Sequence, residues 1–261
     1  MLDLHAHILP FTDDGARDFE MALDMLRMAE ADGITHIVAT PHYICGANRY
    51  SEELLFGVYN RINEIIADNG INIAVLPGNE VFLDEYSLEH LKAGKCMTLA
   101  RSRYVLVKFS LNGMPRNAET LLCGLLDSGY VPVIAHAERY PEVIENTGLL
   151  YEFTGMGCVI QVNSTSITGL MGRKVMKTAM NLVSENIAAV VASDCHSNMR
   201  RSPVLSQAYR IISAHYGVKK VEQLFKINPA RIIENKDIAR VEEIVHKGRF
   251  RHFDLFNFHF R

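Results

Sequence analysis

Short apolar, β-branched runs alternate with longer stretches whose apolar positions recur every three or four residues, the pattern of strands and amphipathic helices around a parallel sheet. The runs predict seven strands: Leu2 to Ile8, His36 to Thr40, Ile73 to Leu76, Tyr104 to Phe109, Val131 to Ala135, Cys158 to Val162 and Ala188 to Ser193. Between them the spacing predicts helices over 17–32, 51–69, 116–128, 141–155 and 172–186. In the first, Phe19, Leu23, Leu26 and Ala29 share a face and Gly33 closes it. After Ser202 the chain reads as helical, with the last helix starting at Asn228 in NPARII. No Pro/Gly/Ser linker divides the chain, so a single β/α barrel is the economical architecture.

The strand ends carry the chemistry. The first strand runs into His5 and His7, the second into Pro41-His42 and the third into Gly78-Asn79-Glu80. The fifth ends at His136, followed by Glu138 and Arg139, and the seventh in Ser193-Asp194-Cys195-His196. In a parallel barrel these ends share the C-terminal face, where such enzymes build their sites, so metal-type ligands from five strands converge. A lone His-x-His is weak evidence, but strand alternation sets both rings on one side, as chelation requires. The remaining histidines, His36, His90, His215, His246, His252 and His259, fall inside elements or the tail and read as packing or surface residues. Asp13 and Asp14, before Gly15, read either as a helix N-cap or as a metal ligand, with Asp14 the favoured ligand. Arg139 and Arg201 each follow a candidate ligand within five residues and could hold an anion such as phosphate bidentately.

Composition narrows the field. With 48% hydrophobic and 22% charged residues the chain is globular, and no apolar run approaches the roughly 18 residues of a membrane helix. No basic region precedes the opening apolar residues, so a cytoplasmic protein is expected. A net charge of -3 offers no basic excess for nucleic acid. Five widely spaced cysteines form neither a disulfide frame nor a thiolate zinc site. Cys195 to Ser202 does fit the C-x5-R-[ST] pattern of cysteine-dependent phosphatases, but no glycine turns backbone amides toward a phosphate, and Asp194 would raise the thiol pKa.

The segments LDLHAHILPFTDDGA, TPHY, GNEVFL, IAHAERY, QVNSTSITG and SDCHSNMRRSP, in this order and spacing, resemble the polymerase-and-histidinol-phosphatase (PHP) superfamily. Within it they look most like the bacterial capsular-polysaccharide type of manganese-dependent protein-tyrosine phosphatase, over about residues 1–240. The resemblance implies an α/β fold, a distorted seven-stranded, TIM-like β/α barrel as a single domain over 1–247, followed by an aromatic and basic tail over 248–261. It implies two or three divalent metals, manganese first with iron or zinc also suited to such ligands, held by His5, His7, Asp14, His42, Glu80, His136, Asp194 and His196. Arg139 and Arg201 would bind the phosphate of a phosphotyrosine protein, a membrane-associated tyrosine kinase that controls exopolysaccharide synthesis. A metal-activated water would attack phosphorus in line without a phosphoenzyme, and a site lacking a strong general acid would favour tyrosinate, with a pKa near 10, as leaving group.

One position departs from the family pattern. The fourth strand of the family usually ends in a metal-ligating glutamate, and here YVLVKFS places Lys108 there. The lysine either supplies fixed positive charge where a metal would sit, is carbamylated to regain a carboxylate, or marks a site that binds without cutting; the first is preferred because every other ligand is retained. Two further functions stay open: a phosphoesterase for a small molecule such as histidinol phosphate, and a phosphotyrosine-binding regulator. The tail, with Phe256, Phe258 and Phe260 alternating, reads as a segment packed on the barrel or on another subunit, or as one resting on a membrane surface.

Overall fold

The computed structural model describes residues 1–48 and 50–238. Its strands are β1 (Leu2–Ala6), β2 (His36–Ala39), β3 (His42–Tyr43), β4 (Ala74–Pro77), β5 (Glu80–Phe82), β6 (Tyr104–Lys108), β7 (Val131–Ile134), β8 (Val159–Asn163) and β9 (Ala188–Ala192). They pair in parallel as a three-stranded sheet, β1-β2-β4, and a six-stranded sheet, β3-β5-β6-β7-β8-β9. The count exceeds the expected seven because two passes of the chain are broken. Pro41, with no N–H to donate, separates β2 from β3, and Gly78-Asn79 separates β4 from β5. Asn79 secures both breaks: its Nδ2 donates to Pro41 O at 3.0 Å and its Oδ1 accepts from Met97 N at 2.8 Å. Glycine is required at 78, where a Cβ would lie 2.7 Å from Val38 Cγ1.

The outer edges of the two sheets meet. Ala6 forms a parallel bridge with Cys195, His7 N donates to Cys195 O at 2.9 Å, and Asp194 N donates to His5 O at 2.8 Å. The strands therefore close around a common interior, a mixed α/β single domain. Leu4, Val38, Leu106, Val133, Val159 and Val190, from six strands, pack together there with Tyr104 and Ile232. Each such aliphatic side chain contributes about 1.5–3 kcal/mol of burial. Side chains two residues on share the same face, so Leu106 leads to Lys108, and Val159 leads to Gln161 and Asn163. The polar site thus stands on this apolar floor.

Helices cover the outside. The first, Phe19–Ala31, is capped by Asp18, whose side chain accepts from Met21 N at 2.8 Å, so neither Asp13 nor Asp14 caps it. Glu52–Asp68, Ala118–Asp127 and Arg173–Ser184 follow their expected spans closely, and the last helix begins at Asn228. The helix expected over 141–155 is instead two, Pro141–Glu145 and Gly148–Met156. Asn146 is extended between them, and its Oδ1 accepts from Gly148 N at 2.9 Å, an alternative to the helical ladder. No described helix is long and apolar enough to cross a membrane. The expectations for the tail over 248–261 and for His246, His252 and His259 lie outside the described residues.

Candidate functional site

All eight candidate ligands meet at the carboxyl ends of the strands, in two groups that share His7. His5, His7 and Glu80 form one, deeply buried, and His7, Asp14, His42 and His196 form the other, opening to solvent at Asp14. Within each group the ligand atoms lie no more than 4.8 Å apart. Asp194 Oδ1 joins the buried group 3.3 Å from His5 Nε2 and 3.5 Å from His7 Nε2. His136 Nε2 lies 2.9 Å from Glu80 Oε1. At the opening, Asp14 Oδ1 is 3.1 Å from His42 Nε2 and 3.4 Å from His196 Nε2.

Backbone geometry aims several of these groups. His136 and Asp194 both adopt left-handed conformations, φ 39° and 51°, directly after their strands. For such residues this costs about 1–2 kcal/mol each, the kind of strain that collects at functional sites. Gly15 lets the first loop fold against the site, since a Cβ there would lie 2.2 Å from His7 O.

Hydrogen bonds fix the protons on the two central imidazoles. The His136 backbone N–H donates to Gln161 Oε1 at 3.1 Å, so this atom is an acceptor and must receive a proton from His5 Nδ1, 3.0 Å away. Gln161 Nε2 in turn donates to Asn163 Oδ1 at 2.7 Å, and Asn163 Nδ2 donates to Asp194 Oδ2 at 2.7 Å. His7 Nδ1 donates to Asp13 Oδ2 at 2.6 Å, an oxygen that also accepts from His42 N at 3.0 Å. In their neutral forms His5 and His7 therefore turn Nε2 lone pairs toward each other across 3.1 Å, beside the oxygens of Glu80 and Asp194. Four acceptors converging in a buried space require a positive charge among them. A divalent cation satisfies that demand, and imidazole with carboxylate is a donor set suited to manganese, iron or zinc.

The ionisation of the cluster expresses the same demand. Burial alone would lower the His7 pKa, but Asp13, Asp194 and Glu80 together raise it to about 10. Asp13, despite burial, is drawn down to about 2 by His7 and His42. Against the opposing effect of burial, His5, with His136 and His42, holds Glu80 well below the usual carboxylate range, and His5, with His7, His136 and Arg201, does the same for Asp194. Hydrogen bonds from His196 and His42 depress Asp14.

Both candidate arginines reach the cluster through one oxygen: Arg201 Nη2 lies 2.8 Å and Arg139 Nη1 3.5 Å from Asp194 Oδ2. The loop bearing Arg201 closes on itself, His196 N donating to Arg201 O at 2.8 Å. Lys108 also enters, with Nζ 3.2 Å from Glu80 Oε2 and 3.0 Å from His42 Nδ1. Cys195 points away from any such role. Its thiol is fully buried, and burial, together with Asp3 and Asp194, pushes its pKa up, the opposite of activation.

Sequence reasoning missed Gln161, Asn163 and Asp3. The first two occupy alternate positions of β8 facing the site, a polar pair in an otherwise apolar strand that also opens the QVNSTSITG segment. Asp3 Oδ1 accepts from Ser193 N at 2.9 Å and ties β1 to the segment after β9. Among the histidines expected to be structural, His90 bonds the Tyr43 hydroxyl and His215 the Ile211 carbonyl, away from the cluster.

Comparison with known proteins gives a consistent picture. The model for the family described as "Capsular polysaccharide synthesis, CpsB/CapC" matches residues 1–234. The chain is 32% identical over 240 residues to the tyrosine-protein phosphatase YwqE of Bacillus subtilis, covering 92% of this chain and 94% of that protein. It is 34% identical over 238 residues to the tyrosine-protein phosphatase CpsB of Streptococcus pneumoniae, covering 89% and 98%. A solved structure from work on those two proteins, described as "unique metal-dependent tyrosine phosphatases", superposes with a TM-score of 0.87 at 33% identity, covering 92% of this chain and 97% of that one. A phosphotriesterase homology protein from Escherichia coli shares the fold at a TM-score of 0.60 and 10% identity, over 89% and 98% of the two chains.

Proposed function

Since the chain belongs to the CpsB/CapC family of capsular polysaccharide synthesis, we propose that it is a metal-dependent protein-tyrosine phosphatase whose active site is the histidine–carboxylate cluster. The observation that carries this reading is the pair of imidazoles whose Nε2 lone pairs face each other beside two carboxylates. His5, His7, Glu80, His136 and Asp194 would hold metal on the floor of the site, the one free lone pair of His7 serving there, and Asp14, His42 and His196 would hold metal at its mouth. Manganese is the first expectation, from the family. Divalent ions supply Lewis acidity, lowering the pKa of a bound water from 15.7 toward about 7 and neutralising phosphoryl charge.

The chain's own residues bind and orient. Arg139 and Arg201 present guanidinium groups to the phosphoryl oxygens, and Asp194 holds both forks in place. Asp13 and Gln161 keep the central imidazoles in the tautomer that turns Nε2 inward. No cysteine or serine nucleophile is needed, so no phosphoenzyme forms. Tyrosinate leaves readily without a strong general acid, which favours an aryl phosphate.

The rim favours a protein substrate over a small enclosed one. The cavity of about 180 Å³ beside Asp13, Asp14 and His42 extends the mouth of the site toward Ile44, Ala47 and Asn48. Phe11, Ile44, Tyr86, Leu111, Leu170 and Met199 are exposed apolar side chains, each on a segment that follows a strand end. Such a rim suits the flanks of a phosphotyrosine on a partner, with a membrane-associated tyrosine kinase of exopolysaccharide synthesis, met in the cytoplasm, as the expected substrate. Turnover of a phosphotyrosine peptide, a phosphoserine peptide and histidinol phosphate with manganese tests this. The phosphotyrosine peptide should be hydrolysed fastest; faster histidinol phosphate turnover, or tight peptide binding without phosphate release, would overturn it.

A further inference from the structure

Lys108 ends β6, and its side chain, only 18% exposed, extends into the cluster. Its Nζ caps the point where the two ligand groups touch, 3.2 Å from Glu80 Oε2 of the buried group and 3.0 Å from His42 Nδ1 of the outer one, two atoms that are themselves 2.5 Å apart. An ammonium has three donors and no lone pair, so it cannot ligate a metal. What it can do is occupy, as a cation, a position that two metal-type donors would otherwise offer to an ion.

We propose that Lys108 is a tethered cation that takes the place of a divalent ion between Glu80 and His42, so that the loaded centre holds two ions and carries its third positive site within the chain. The proposal rests on the metal-dependent reading above and deepens it. The two remaining ion positions are the floor group of His5, His7 and Glu80 and the mouth group of Asp14, His42 and His196, neither of which uses Lys108. The built-in charge offsets Glu80 beside the site, and unlike a metal it is not removed by chelators.

The other chemistry open to this amine is addition to carbon dioxide, forming an N–C bond and releasing a proton to give a carbamate. That product adds three heavy atoms beyond Nζ. Nζ already lies at hydrogen-bonding distance from both Glu80 and His42, so the added group would collide with them unless the lysine side chain drew back from both. The geometry therefore favours the ammonium.

The test is metal stoichiometry, measured by equilibrium dialysis against manganese followed by elemental analysis, together with native mass spectrometry of the wild-type protein. Wild type should bind two equivalents and Lys108→Glu three, because the new carboxylate supplies a ligand where the ammonium stood. Lys108→Met should stay at two, while its KM for a phosphotyrosine peptide rises. Three equivalents on wild type, no gain in Lys108→Glu, or a wild-type mass heavier by one carbon dioxide would overturn the proposal. The wild-type measurements decide the matter even if a variant fails to fold. Wild type that binds no manganese would instead overturn the metal-dependent reading itself, and this proposal with it.

Discussion

On the floor of the site His5, His7, Glu80 and Asp194 are almost wholly buried, and His5, His7 and Asp194 are each held by a polar partner, Gln161, Asp13 and Asn163 respectively. At the mouth Asp14 is 60% exposed and faces the Nε2 atoms of His42 and His196, which are held at Nδ1 by Glu80 and by the Asp194 carbonyl respectively. The difference teaches where precision resides. The floor is oriented before any ion or substrate arrives, whereas at the mouth the exposed Asp14 can adjust to what enters. An ion on the floor should accordingly bind more tightly than one at the mouth, and damage to the floor should cost more.

The largest expected effect is Glu80→Gln, which removes the carboxylate that meets His5, His136, His42 and Lys108. Turnover of a phosphotyrosine peptide should fall by more than about 100-fold, beyond the range seen for partners that merely orient a ligand. Asp14→Asn at the mouth should cost distinctly less; equal losses would break the contrast between floor and mouth.

Next comes Gln161→Leu. It leaves His5 free to take either tautomer and cuts the link through Asn163 to Asp194. Manganese affinity, read by competition with a chelator, should fall by roughly 10–100-fold with the circular dichroism spectrum unchanged. Wild-type affinity would remove Gln161 from the account.

A pH series on metal-stripped protein sharpens the same comparison. The His7 pKa rises from 6.5 to about 10 in the folded chain, so the folded state binds the proton more strongly than the unfolded one. That stabilisation is fully present below pH 6.5 and is lost as the pH climbs through about 10, so the Tm of the stripped protein should decline across this window. Manganese, by replacing the proton among the acceptors, should flatten the decline. A stripped protein whose Tm does not fall would contradict the proton-holding floor.

The smallest effect is expected from Cys195→Ala. The thiol is buried and held protonated, so activity per folded molecule should remain at the wild-type level, and its abolition would restore the cysteine route that the C-x5-R pattern suggested.

Much of this site could be read in the chain because its donors are chemically distinctive and end successive strands. His5, His7, His42, Glu80, His136, Asp194 and His196 each follow an apolar run, and parallel topology alone brings such positions together. Gln161 and Asn163, though within the QVNSTSITG segment, were given no role because a neutral amide on a strand has no chemistry of its own; it acquires one only from its neighbours in the fold. The left-handed turns at His136 and Asp194 were equally hidden, since neither position holds the glycine that usually announces one. Asp13 and Asp14 show a third limit. Their adjacency before a helix pointed to a cap, yet the helix begins further on at Asp18, which leaves one acid to orient His7 and the other to face His42.

The most direct test of the whole account pairs elemental analysis of the purified protein with phosphate release from a phosphotyrosine peptide, before chelation, after it, and after manganese is restored. Activity should track bound metal, disappearing with it and returning with it. Undiminished hydrolysis by protein shown to be free of metal would contradict the account.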